Sequence, residues 1–180
     1  MTKIFVLIAI MAAACVSAFA QNTTVDYSGK WALDLAASKL DARQNIESMT
    51  MTVTQTEKEL KIDTITKRPA PPEGVVQGGR GGGMGRGGGM GRGDATTTYS
   101  LDGKETSVDQ ESPMGPLPVK YLAKKEGPVL KLSQTRTINT TTMATKDEWT
   151  LSPDGKTLTV KRETTTPRGT NSSTMVFKKG

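Results

Sequence analysis

Apolar and polar residues alternate along most of this chain, and the alternation is clearest from Trp149 to Arg162. At its centre, Ser152-Pro153-Asp154-Gly155 has the composition of a tight turn, because proline presets φ and glycine accepts a positive φ. Apolar residues share one face before the turn and one face after it, at Trp149, Leu151, Leu158 and Val160. Alternation with a period of two around a tight turn predicts a half-buried β-hairpin.

The same pattern predicts about ten short strands in the whole chain. Strands are predicted at residues 26–35, 48–56, 60–66, 96–101, 106–111, 119–125, 130–138, 143–151 and 173–178, with one more that follows the turn and ends before Pro167. Residues 36–46 are predicted to form a loop or a helical turn. Because neighbouring strands are joined mostly by tight turns, an antiparallel up-and-down meander is the simplest topology. Closing that meander would remove both exposed edges, so we expect an all-β barrel of about 8–10 strands.

The first twenty residues have the features of a signal peptide rather than of a strand. Lys3 precedes an apolar run from Ile4 to Ala14 that is too short to span a membrane, and Ala18-Phe19-Ala20 is a cleavage signal. We therefore predict a signal peptide at 1–20, a single domain at 21–180, and a periplasmic or secreted protein. A lipoprotein acylated on Cys15 is the disfavoured alternative, because Ala12 stands where a leucine-like residue is usual.

Composition restricts the chemistry of the mature chain. The sequence has no histidine, and cleavage would remove its only cysteine, Cys15. Loss of Lys3 would lower the net charge from +6 to +5. Thiol nucleophiles, thiolate metal sites and imidazole bases are thereby excluded. We predict no catalysis, no metal and no cofactor, with a carboxylate-only enzyme (Asp147 with Glu148, or Asp109 with Glu111) as the last-ranked alternative.

A G-x-W motif, Gly29-Lys30-Trp31, opens the first predicted strand. With the strand pattern, it resembles the lipocalin-like (calycin) barrels, in which this tryptophan closes the barrel base and packs against a basic side chain from the last strands. The resemblance implies a lipocalin-like barrel with Arg162 or Arg168 as the stacking partner of Trp31. The chain lacks a T-D-Y motif, a cysteine pair and a C-terminal helix, so a fatty-acid-binding-protein-like barrel is equally open.

A second resemblance covers both ends of the predicted domain. The pattern D-x-S-G-x-W-x-L-D at residues 26–34, with the S-P-D-G-K-T-L-T hairpin, resembles a class of small bacterial exported proteins. That resemblance implies no activity.

A glycine-rich repeat interrupts the strand pattern, with arginines at Arg80, Arg86 and Arg92. We predict a disordered Pro/Gly/Arg-rich insertion at about 68–94, since loop length costs little stability. These arginines are candidates for contact with an anionic envelope polymer, which gives an alternative function as an interaction protein. Nucleic acid is an unlikely partner, because no aromatic residue is interleaved for base stacking.

Three polar residues share the inward parity of predicted strands. Gln134 and Arg136 follow Leu130 and Leu132 in register, and Arg162 follows Leu158 and Val160. Inward arginines can clamp a carboxylate, of a ligand or of an internal acid, whereas strands that leave the core there would place them in water. We therefore predict Gln134, Arg136 and Arg162 as ligand-binding residues. The leading hypothesis is an exported, non-catalytic binding protein for a small apolar or amphipathic ligand.

Overall fold

A computed structural model describes residues 25–41, 44–69, 94–112, 115–138 and 140–180. These ranges contain ten β-strands and no helix. The strands are β1 (Gly29–Leu33), β2 (Ser48–Gln55), β3 (Glu59–Lys67), β4 (Ala95–Ser100), β5 (Thr106–Gln110), β6 (Leu117–Glu126), β7 (Val129–Ile138), β8 (Thr141–Leu151), β9 (Thr157–Thr166) and β10 (Gly169–Lys179). The predicted signal peptide at 1–20 lies outside these ranges, as does most of the predicted insertion at 68–94, of which only Arg68, Pro69 and Asp94 are described.

All strand pairs are antiparallel, in the order β4-β3-β2-β1-β10-β9-β8-β7-β6-β5. Strands adjacent in sequence are therefore paired throughout, except β4 with β5, and the first strand, β1, also pairs with the last, β10. The predicted all-β, up-and-down meander is confirmed. It forms a nearly closed barrel, because every strand except the terminal pair β4 and β5 has two neighbours.

The seam between β4 and β5 departs from the predicted closure. No backbone ladder joins these two strands, and the barrel is instead bridged by an edge-to-face contact between Tyr99 on β4 and Tyr121 on β6, with ring centroids 5.4 Å apart. Strand β5 carries no buried row, and its Val108 is 51% exposed. Because β5 pairs only with β6, alternation in its sequence does not place Val108 in the core.

The core consists of one face of each longer strand. In β2, Met49, Met51 and Val53 are buried, whereas the intervening threonines are exposed. Successive side chains of a strand point to opposite faces, so this pattern places the methionines inside the barrel and the threonines in solvent. Both methionines line the barrel interior, where the unbranched thioether fills irregular space.

Trp31 closes one end of the barrel, hereafter the base. Its ring is 1% exposed, its Nε1 donates a hydrogen bond to the backbone oxygen of Tyr27 (3.0 Å), and Lys179 Nζ lies 5.2 Å from the ring centroid. The predicted stacking partners, Arg162 and Arg168, are both wrong. Trp31 on β1 is paired in register with Lys179 on β10, and this pairing places the lysine ammonium over the indole ring.

Gly29 has a backbone conformation that residues with side chains rarely adopt. Its φ is +140°, and a Cβ built there would lie 2.7 Å from Lys179 Cε. The glycine of the G-x-W motif thus has a physical reason, since this φ strains any residue with a side chain, whereas the contact with Lys179 involves only the movable end of that side chain.

The connection between β1 and β2 continues along β10 after β1 has ended. Lys39 and Thr174 exchange two backbone hydrogen bonds (2.7 and 2.8 Å), and the backbone N–H of Val176 donates to Ser38 Oγ (2.9 Å). In its described residues this connection is a loop with one isolated β-bridge, between Lys39 and Thr174, which agrees with the loop predicted at 36–46. It carries Asp41, Gln44 and Ile46 to the interior of the barrel, where all three line the cavity described below.

Candidate ligand-binding cavity

A cavity of about 360 Å³ lies inside the barrel. Its apolar floor, on the side of the base, is formed by Met51, Ile62, Trp149, Val160, Met175 and Phe177. Above the floor lies a polar band of Tyr99, Gln134, Thr145, Asp147, Arg162 and Ser173. The rim at the end opposite Trp31 includes Asp41, Gln44, Thr66, Arg68, Thr164 and Asn171. The floor is therefore apolar, whereas polar side chains predominate above it, with Ile46, Met49 and Ala95 as apolar members of the upper lining.

An ion pair between Asp147 and Arg162 crosses the polar band. The two residues are direct neighbours on β8 and β9, and the guanidinium donates through Nε to Oδ1 (2.7 Å) and through Nη2 to Oδ2 (2.6 Å). The Asp147 side chain is 7% exposed and that of Arg162 is 29% exposed. Burial alone would lower the pKa of the Arg162 guanidinium, but the facing carboxylate raises it above its ordinary value. The guanidinium therefore keeps its positive charge, which the adjacent Asp147 carboxylate offsets.

Burial keeps two tyrosines neutral: Tyr99, which belongs to the polar band, and Tyr121, which lies beside Gln134 but does not line the cavity. Burial raises the pKa of the Tyr99 phenol far above its ordinary value, and the Asp147 carboxylate raises it further. Burial also raises the pKa of Tyr121, although the nearby Arg136 opposes that shift. The Tyr121 hydroxyl accepts hydrogen bonds from Gln110 Nε2 (2.6 Å) and, more weakly, from Gln134 Nε2 (3.4 Å). Tyr121 therefore positions Gln134 beside the cavity.

The predicted ligand-binding residues occupy different environments. Gln134 and Arg162 line the cavity, whereas Arg136 lies one inward position beyond Gln134 and is not among its lining residues. Arg136 Nη2 contacts only the weak acceptor Met143 Sδ (3.9 Å), and its buried Nε has no partner in the described part of the chain. The predicted role of these three residues in ligand binding stays a prediction, and Arg80, Arg86 and Arg92 lie outside the described residues.

Sequence reasoning missed the role of Asp147, which it considered only as a catalytic partner of Glu148. Asp147 points into the barrel, whereas Glu148 points outward, where it lies 3.9 Å from Lys131. The signal was present, because Asp147 has the parity of Trp149 in a strand whose neighbours alternate. Adjacent strand residues cannot form an inward carboxylate pair, and Asp109 and Glu111 are both exposed.

Two further polar atoms of the cavity wall are buried without a hydrogen-bond partner among the described residues. They are Trp149 Nε1, in the floor, and Gln44 Oε1, at the rim. Buried polar atoms are paired in the great majority of cases, so each exception needs an explanation. Within the described ranges, no group of three or more acidic, histidine or cysteine residues could hold a metal ion. The same ranges contain no helix that is long and apolar enough to cross a membrane.

The sequence matches no protein-family model and no curated protein. A secretory abundant heat soluble protein from Ramazzottius varieornatus is similar in structure, with a TM-score of 0.52 and 13% identity over 85% of this chain and 94% of that protein. Zebrafish ileal bile acid-binding protein complexed with cholic acid has a TM-score of 0.48 and 15% identity over 86% of this chain and 98% of that one. A mutant of the fluorescent protein UnaG has a TM-score of 0.46 and 12% identity over 85% and 95% of the two chains. At 13% identity the first similarity shows the fold alone, and this chain has the fold of a calycin-like β-barrel.

Proposed function

We propose that this protein binds a small amphipathic ligand inside its barrel. The observation that carries the proposal is the cavity of about 360 Å³, which lies within the size range of small-molecule sites. Its floor of Met51, Trp149 and Phe177 favours an apolar group, because burial removes that group from water. Its rim combines threonine, asparagine and glutamine side chains with the charged Asp41 and Arg68, and so offers hydrogen bonds to a polar group at the other end.

The polar band supports binding rather than catalysis. Asp147 is the buried carboxylate of the cavity, and both of its oxygens accept hydrogen bonds from Arg162. A general base must accept a proton from its substrate, and this carboxylate is already held by a guanidinium at both oxygens. The ion pair instead fixes two opposite charges side by side in the cavity wall.

The proposal is tested by filling the cavity from β9. Thr164 lines the cavity and the adjacent Thr165 is exposed on the outer face, so Thr164→Phe and Thr165→Phe add the same volume to opposite sides of one strand. We expect Nile red, an uncharged fluorescent amphiphile, to bind the unmodified protein saturably. We expect Thr164→Phe to weaken that binding by about tenfold or more and Thr165→Phe to leave it unchanged.

Two results would contradict the proposal. Equal weakening by both variants would indicate adsorption to the outer surface or damage to the fold, and circular dichroism of each variant separates these two. Failure of the unmodified protein to bind any amphiphile at micromolar concentration would reject the cavity as a ligand site.

We further propose that the barrel acts outside the cytoplasm. The Ala18-Phe19-Ala20 signal supports a mature start at Gln21. Intact mass and N-terminal sequencing of the exported protein measure this directly, and a lipid on Cys15 would contradict it.

A further inference from the structure

The two tryptophans of this chain differ in one respect. Both rings are 1% exposed, and Trp31 Nε1 donates to the backbone oxygen of Tyr27 (3.0 Å). Trp149 Nε1 is equally buried, but it has no acceptor in the described part of the chain. Of the two, only Trp149 lines the cavity. The indole N–H is a donor and never an acceptor, so the chemistry of the missing partner is defined.

The Trp149 ring is held in place from below. Tyr27 packs edge-on against it, with ring centroids 5.8 Å apart and an interplanar angle of 71°. The Tyr27 hydroxyl also donates to the backbone oxygen of Trp149 (3.3 Å). In register, Trp149 lies between Leu130 on β7 and Val160 on β9, which offer no side-chain acceptor. The ring therefore has little freedom to turn its N–H toward another protein group.

The charges around the floor disfavour an anion at this depth. Asp147 and Arg162 lie one inward position above Trp149 and Val160, and each neutralises the other. A carboxylate that passed this pair would lose its water without gaining a free cation, and it would come near the Asp147 carboxylate. An uncharged oxygen acceptor incurs neither cost.

We infer that the ligand enters with an uncharged oxygen acceptor, a carbonyl or an ether, at its deep end, and that this oxygen accepts a hydrogen bond from Trp149 Nε1. This inference rests on the proposed function, since it requires a ligand in the cavity. It assigns Trp149 as the specificity-determining residue of the floor. The ligand class is therefore a neutral ketone, ester or ether with an apolar body, rather than a free fatty acid.

The test compares three probes of one chain length: 2-undecanone, undecane and undecanoate. Their affinities are measured by displacement of Nile red, and the two indole N–H signals are followed by ¹H–¹⁵N correlation spectroscopy. We expect 2-undecanone to bind about tenfold more tightly than undecanoate, and to move the Trp149 signal downfield while the Trp31 signal stays in place. Undecane has no hydrogen-bond acceptor, so it should not move either indole N–H signal downfield. Trp149→Phe removes floor surface for every probe, so it should weaken both ligands, but it should lower the affinity for 2-undecanone by about tenfold more than that for undecane.

Several outcomes would overturn the inference while leaving the proposed function intact. One is that undecanoate binds as tightly as the ketone. Another is that the ketone displaces Nile red but does not move the Trp149 signal, or that this signal already has a hydrogen-bonded shift in the free protein, which would indicate a bound water instead. If none of the probes displaces Nile red although Thr164→Phe abolishes its binding, the ligand class is wrong. If Thr164→Phe and Thr165→Phe also behave alike, the proposed function fails as well. Should Trp149→Phe fail to fold, the spectra of the unmodified protein still decide the question.

Discussion

Replacing Asp147 with leucine probes the ion pair that crosses the cavity. The substitution removes the carboxylate while keeping a side chain of similar size at a position that is 7% exposed. It leaves the Arg162 guanidinium, which has both Nε and Nη2 on that carboxylate, without an anionic partner. The expected result is a large loss of stability that comes from the abandoned charge rather than from a lost attraction.

The magnitude follows from the burial of both partners. Removing one member of a buried ion pair costs about 3–5 kcal/mol. Because the Arg162 side chain keeps 29% of its exposure, part of its charge can be solvated through the cavity, and we expect about 3 kcal/mol, at the lower end of that range. Replacing both residues, as Asp147→Leu with Arg162→Met, removes the unpaired charge, so the double variant should unfold with a free energy near that of the unmodified protein or above it.

The assay is urea unfolding followed by tryptophan fluorescence, with the free energy of unfolding compared across the double-mutant cycle. The exposed pair of Lys120 and Glu105 supplies a matched control, since its atoms are 2.8 Å apart but both side chains are more than half exposed. Glu105→Gln should cost less than about 1 kcal/mol. A similarly small cost for Asp147→Leu, or a double variant no more stable than that single variant, would refute the reasoning about the interior pair.

Trp31→Ala should lower the free energy of unfolding by about 3–5 kcal/mol, because it empties the barrel base, and a loss below about 1 kcal/mol in urea titrations would contradict that position. Arg136→Leu should leave stability unchanged or raise it, since Arg136 has no acid partner among the residues that the structure describes, and a loss near 3 kcal/mol would reveal such a partner elsewhere. Burial raises the pKa of all three tyrosines, so the folded state keeps protons that the unfolded chain releases above about pH 10. Stability should therefore be complete below that pH and fall above it, and phenolate absorbance should rise only as the protein unfolds; a separate earlier titration would be inconsistent with burial. Shortening residues 68–94 to a quarter of their length should raise stability by about 1 kcal/mol at most, and failure to fold would show that the segment is structural.

The fold class could be predicted from the sequence because its signal is local. A strand with one buried face alternates with a period of two, and that period is visible in β2 or β8 without knowledge of any partner strand. The prediction was weakest where both faces are polar. Strand β10 begins at Gly169 rather than at Ser173, because Thr170 to Ser172 pair with β9 but bury little, so their ladder leaves no hydrophobic pattern.

For the candidate site, the sequence indicates which side chains point inward, but it does not indicate which of them meet. Parity in the sequence placed Gln134 and Arg162 on an inward face, and both line the cavity. The same parity argument predicts that Asp147 points inward, since it lies two residues before Trp149 in β8. Which inward groups meet depends on strand register, and only the tertiary structure pairs Asp147 with Arg162 while leaving Arg136 with a thioether.

Contacts that depend on closure of the barrel could not be predicted from the sequence. Lys179 lies on Trp31 because β10 returns to pair with β1 after the whole meander, and the seam between β4 and β5 is bridged by Tyr99 and Tyr121. Hydrophobic periodicity determines which side of a strand is buried, but it contains no information on which distant strand will lie beside it. That choice follows from the geometry of arranging ten strands around one core. It also determines that the interior keeps a cavity, with an indole N–H at its floor that has no partner among the described residues.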